Sequence, residues 1–248
     1  MAARFKKGLA ALVTSLYLGL AAPKAADAYE INFLGATDPN WPDSGLVCKP
    51  LDDFALQIQA TQKIEHYASR YPVGMLDRFV DKIAICSSLF DSTSFFGGAA
   101  PKGGRTIYLK DIEMGVFDHE FFHIIEWEQN KTDFSFYYNW VLLDPMAHAR
   151  QTCCLATPFY IFLPAVLYNA FFDIEKLPIE KRIAWAREEM AHLAERMMAG
   201  DTKLVRKAAR DRVLNEKLRL IRLIYSTASE GQMDEDFWNA LIEGAGKR

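Results

Sequence analysis

The chain has 248 residues, with 29 lysines and arginines against 32 aspartates and glutamates, a formal net charge of −3 and a hydrophobic content of 50%. That is enough length and apolar content for one sizeable core. The acidic excess argues against nucleic acid as a partner, because it would repel phosphates.

The N-terminus comes first in chain order. A basic start (Arg4, Lys6, Lys7), an apolar run from Leu9 to Ala22 and the small-residue ending "ADA" at Ala28 are the three parts of a cleaved secretory signal. Residues 1–28 are expected to be removed, leaving 29–248 as a single domain that is secreted or periplasmic. Export takes away four basic residues (Arg4, Lys6, Lys7, Lys24) and one acidic residue (Asp27), so 25 basic side chains face 31 acidic ones. All four cysteines, Cys48, Cys86, Cys153 and Cys154, lie beyond the signal, where an oxidising compartment permits disulfides. Cys48 with Cys86 is the expected pair, tying a loop to a strand. No CxxC spacing occurs, so a cysteine zinc site is not favoured.

Residues 29–50, rich in Asp, Pro and Gly, read as an extended entry with turns. Leu51, Phe54, Ile58, Ile64 and Tyr67 recur at helical spacing, and Pro72 ends that helix. A short helical piece over 75–79 leads into "KIAICSSLF", whose β-branched residues predict one strand. A glycine-rich turn, "FFGGAAPKGG", precedes a second strand in "RTIYLK". A helix over 116–129 follows, and the remainder is read as helical over 158–172, 178–199, 203–225 and 234–243. Strands followed by helices predict an α+β fold, a small mixed sheet with a mostly helical C-terminal half. The stretch "LATPFYIFLPAVLYNAFF", 155–172, has no charge and lies near the lower length limit of a membrane span. Pro158 and Pro164 interrupt it, so a buried core helix is favoured over membrane association.

The segment "DHEFFHIIE", Asp118 to Glu126, carries the chemistry. Residues four apart on a helix differ by about 40° in direction, so His119 and His123 aim their imidazoles at one point. That pattern suits two nitrogen ligands of a tetrahedral zinc, with Glu120 beside the ion as a general base. Phe117, Phe121 and Ile124 lie on the opposite face and anchor the helix. A third ligand must come from elsewhere. Glu126 shares the histidine face but is better placed to orient an imidazole. Asp133, ten residues past His123, matches the aspartate of one zincin class without the rest of its motif. The metzincin pattern is excluded, because Gln129 stands where it needs histidine. Glu188 and Glu189 remain, on a helix whose apolar face is Met190, Leu193 and Met197; Glu189 lies at its rim, and Glu188 lies opposite with Trp185 and His192.

Taken in order, "FGGAAPKGGRTIYLKD", "DHEFFHIIE", "NWVLLDP", "REEMAHLAERMMAGD" and "VLNEKLRLI" with "DEDFW" resemble the secreted bacterial zinc metallopeptidases related to the catalytic domain of anthrax lethal factor. The likeness spans roughly residues 75–240 and implies a zincin-type HExxH helix packed on the sheet. It makes His119 and His123 ligands of Zn2+, Glu120 the general base and Glu126 a residue behind the ligands. Within "REEMA" it favours Glu188 as third ligand, with Glu189 as the one-residue alternative. It further implies a peptide or protein substrate pairing along the strand "TIYLK" as an edge. The family carries a tyrosine about two turns before the ligand glutamate, suited to an oxyanion; here the nearest is Tyr168. Two other functions stay open: an inactive metal-binding relative serving as an interaction module, and an envelope protein held to a membrane by 155–172.

Overall fold

The structure is a computed structural model that describes residues 29–38, 41, 45–131, 137, 139–140, 143 and 179–245. Its elements, in chain order, are β1 (Glu30–Asn32), β2 (Ala36–Asp38), β3 (Leu46–Lys49), α1 (Phe54–Ala68), α2 (Met75–Phe79), β4 (Lys82–Ile85), β5 (Ser88–Phe90), β6 (Gly98–Ala99) and β7 (Thr106–Leu109). Five helices follow: α3 (Met114–Asn130), α4 (Ile179–Met198), α5 (Thr202–Ala208), α6 (Arg212–Ala228) and α7 (Glu235–Ala245). The α+β class is therefore observed.

One sheet runs β1-β4-β7-β6, with β1, β4 and β7 parallel and β6 antiparallel to β7. A second, antiparallel sheet runs β2-β3-β5. Successive strand residues point to opposite faces, which divides the interior in two. Ile83, Ile85, Ile107 and Leu109 enter a large core with α1, α3, α4 and α6, whereas Ala84, Cys86 and Tyr108 enter a smaller one with Leu46, Cys48, Leu89 and Ala99. Both faces of β4 and β7 are thus covered, as expected for parallel strands. The Cys48–Cys86 disulfide forms inside the smaller core and closes a 38-residue separation. A loop of that length corresponds to about 4 kcal/mol of chain-entropy stabilisation.

Three sequence expectations change. "KIAICSSLF" is two strands, not one: the chain leaves the first sheet at Cys86, whose N–H donates to Leu109, and enters the second at Ser87, whose N–H donates to Lys49. The "TIYLK" strand is not an edge, because β7 is paired on both sides; the edge belongs to Gly98–Ala99. The helix expected over 203–225 is broken between α5 and α6. Asp211 caps α6 by accepting from the N–H of Leu214, as Asp201 caps α5 from Lys203 and Leu204. Such an aspartate competes for backbone donors and restarts the helix without proline or glycine. The extended entry holds β1, β2 and β3.

Among the described residues no helix is long and apolar enough to cross a membrane. The uncharged stretch 155–172, with Cys153, Cys154, Asp133 and Tyr168, lies outside the described residues.

Two arginines tie α3 to its neighbours. Arg70, just after α1, donates to the buried Asp118 at 2.9 Å and also to the Met198 carbonyl at the end of α4. Asp118 accepts a further bond from the Tyr71 hydroxyl at 2.8 Å. Burial raises its pKa to about 6 against the opposing pull of Arg70 and Tyr71. Nearer the other end of α3, Arg187 of α4 donates to the fully buried Glu126.

Candidate metal centre

Helix α3 buries Phe117, Phe121, Phe122, Ile124 and Ile125, which turns the His119 and His123 face towards α4. The two rings cross at 81° with centroids 4.8 Å apart, and their Nε2 atoms lie 3.2 Å apart. From α4, Glu188 completes a triangle: one carboxylate oxygen is 3.4 Å from His119 Nε2 and the other is 3.4 Å from His123 Nε2. Zinc held at 2.0–2.2 Å by nitrogen and oxygen ligands in a tetrahedron needs donor atoms about 3.3–3.5 Å apart. The three separations fall at or beside that span, the two from Glu188 ending on different oxygens, and two imidazoles with one carboxylate are a donor set that could hold a metal ion. Glu188 is 57% exposed, so solvent reaches the seat.

The outer ring nitrogens face carboxylates. His123 Nδ1 lies 3.6 Å from Glu126, and His119 Nδ1 lies 3.8 Å from Glu195. Carboxylates behind ligating histidines fix ring orientation and raise basicity. Glu126 is itself held by Arg187 and by the Tyr137 hydroxyl, both of which donate to it. Burial, then the negative charge of Glu126, pushes the Tyr137 hydroxyl far above its usual range.

The charge balance is lopsided. Burial alone would lower the pKa of His119, but Glu188, Glu195 and Glu120 outweigh it and raise the ring to about 10. His123 is raised for the same kind of reason: Glu126 and Glu188 oppose its burial. Against its own burial, the two imidazoles hold Glu188 well below the usual carboxylate range. Four carboxylates thus crowd two histidines, a place that favours positive charge.

Glu120 is buried beside the triangle, and its burial raises its pKa against the pull of both histidines. Its carboxylate accepts the backbone N–H of Ala100. The edge strand lies directly on it: a Cβ at Gly98 would come within 2.8 Å of Glu120 Cγ and 2.7 Å of Val116 Cγ1. Only glycine permits that approach.

Glu189, one residue on, does something different. It accepts from the buried Lys217 ammonium at 2.7 and 2.8 Å and from Trp140 Nε1 at 2.8 Å. The lysine also sits 5.2 Å over the Trp140 ring. The structure therefore brings His119, His123, Glu188, Glu120 and Glu126 together and turns Glu189 away. Sequence reasoning missed Glu195, Arg187 and Tyr137. Glu195 was within reach, since it falls seven residues after Glu188 on the same helical face.

The chain matches no protein-family model, and no curated protein or solved structure matches it.

Proposed function

We propose that the chain is a secreted or periplasmic zinc metallopeptidase, with His119, His123 and Glu188 holding the ion. The observation that carries this reading is the triangle of donor edges at 3.2, 3.4 and 3.4 Å. When bound, zinc supplies Lewis acidity that polarises a carbonyl and acidifies water. Glu120, buried beside these residues with its pKa raised and its carboxylate held by the Ala100 N–H, would accept a proton from water and pass it to the leaving amine. Glu126 and Glu195 orient the two rings. A peptide substrate pairs along the edge strand at Gly98–Ala99, laying its backbone beside Glu120. The antiparallel edge strand beside the HExxH helix supports a zincin-type arrangement and the likeness to the lethal-factor-related peptidases. The Cys48–Cys86 disulfide supports export.

The test combines metal content with hydrolysis of a peptide library. Wild type should hold zinc and cleave peptides, whereas Glu120→Gln should retain zinc and lose hydrolysis by about 10²-fold or more. Equal activity in the two proteins removes Glu120 from the reaction. Tight zinc binding with no cleavage, under conditions where a control peptidase works, would favour the interaction-module reading.

A further inference from the structure

Glu195 sits in an unusual position. Its Oε2 lies 3.8 Å from His119 Nδ1 and 3.4 Å from His192 Nδ1, so it stands between two ring nitrogens and binds neither closely. The His119 and His192 rings cross at 62° with centroids 4.7 Å apart. His192, Glu195 and His119 each offer one ligand atom, all within 4.8 Å of one another. Among the described residues Glu195 has no lysine or arginine partner.

The local architecture holds this group in place. His192 and Glu195 are three residues apart on α4, hence on one face. Beneath them, a Cβ at Gly115 would lie 2.4 Å from Glu195 Oε1, so the missing side chain of α3 is what lets the carboxylate settle there. His192 is 45% exposed and Glu195 33%, which leaves room for water and for entry of an ion.

We propose that His192, Glu195 and the Nδ1 of His119 form a second seat for a divalent transition-metal cation, zinc or copper. It lies on the far side of the His119 ring from the Glu188 triangle, and it rests on the zinc reading above only in sharing that ring. Imidazole is the ligand that suits zinc and copper, and a single carboxylate oxygen is an accepted third donor for zinc. With both nitrogens of His119 coordinated, the ring's N–H proton passes to solvent. The outer seat is the weaker one. Its 3.4 Å edge fits the zinc tetrahedron but its 3.8 Å edge is wider, so an ion must draw His119 and Glu195 together. A second dication also meets the charge of the first across one ring.

Titrating the metal-free chain with zinc, followed by calorimetry and elemental analysis, tests the proposal. Wild type should show two steps, one tight and one weaker. His192→Ala should lose the weaker step and keep the tight one, and Glu195→Gln should lose the weaker step while weakening the tight one by about 10–100-fold without abolishing it, both with unchanged circular dichroism. His123→Ala should lose the tight step and keep the weaker one. A single step in wild type, or two steps surviving in both His192→Ala and Glu195→Gln, overturns the outer seat. If His123→Ala leaves both steps intact, the Glu188 triangle fails as the tight site while the outer seat stands.

Discussion

The two sides of α4 carry adjacent glutamates with opposite fates. On one side Glu189 meets a fixed protein cation, the buried ammonium of Lys217, with Trp140 closing the contact. On the other, Glu188 meets two imidazoles whose nitrogens converge on it, and more than half of its side chain faces solvent. A carboxylate answered by lysine is saturated and holds helices together. One answered by a pair of rings with convergent lone pairs is a place for a removable cation. Neighbouring residues of one type thus serve structure and chemistry because one helix turns them about 100° apart.

The largest loss is expected at the two rings. His119→Ala combined with His123→Ala should reduce zinc content after dialysis from about one ion in the tight seat to near zero. The fold should survive, since Phe117, Phe121 and Ile124 anchor α3 from the other side. Elemental analysis with circular dichroism would show it; unchanged zinc would locate the ion elsewhere.

Exchanging the glutamates one at a time sharpens the contrast. Glu189→Ala removes the carboxylate from a buried ammonium and should cost about 3 kcal/mol in urea denaturation, with zinc content nearly intact. Glu188→Ala should abolish tight zinc binding and cost less metal-free stability than Glu189→Ala, because the Glu188 side chain is 57% exposed and screened by solvent. The reverse pattern would exchange their roles.

The smallest expected effect is in protons. With His119 raised to about 10, the metal-free ring is charged at pH 7, and zinc must displace that proton. Zinc uptake at pH 7 should therefore release at least about one proton, visible as a dependence of calorimetric heat on buffer ionisation enthalpy. The signs for stability follow. The raised histidine contributes fully below its ordinary 6.5 and loses that contribution as pH rises through about 10. The lowered Glu188 contributes fully above its ordinary 4.5 and loses it as pH falls. Metal-free stability from this contact is therefore greatest between those two ordinary values.

Long periodic segments were legible: α1, α3 and α4 lie within a few residues of where the apolar spacing puts them, and α2 lies at 75–79 as expected. The His119, Glu120 and His123 arrangement on one helix was readable for the same local reason. The strands of the entry were not. Each has three or four residues, too short for a clear alternation; β2 and β3 pair locally, but β1 and the other side of β3 find partners some 40 to 50 positions away, at Lys82–Ala84 and Ser88–Phe90. Helical geometry placed Glu188 and His192 on one side of α4. That this side faces the histidines of α3 is a property of packing, which spacing within one helix does not contain. The place of Glu195 follows from the same packing and from the bare Gly115 beneath it.

The two guanidinium contacts of α3 have a consequence for how the centre behaves when empty. Arg70 grips Asp118 and the Met198 carbonyl, while Arg187 grips Glu126, so α3 and α4 are fastened on both sides of the ligand triangle. Helices held at two points cannot slide by a turn against each other. The donor atoms therefore keep their spacing with no ion between them, and the cage resists collapse. On the zinc reading proposed above, metal would leave and return as a guest exchanging with a standing frame, its speed set by ligand bonds rather than by refolding.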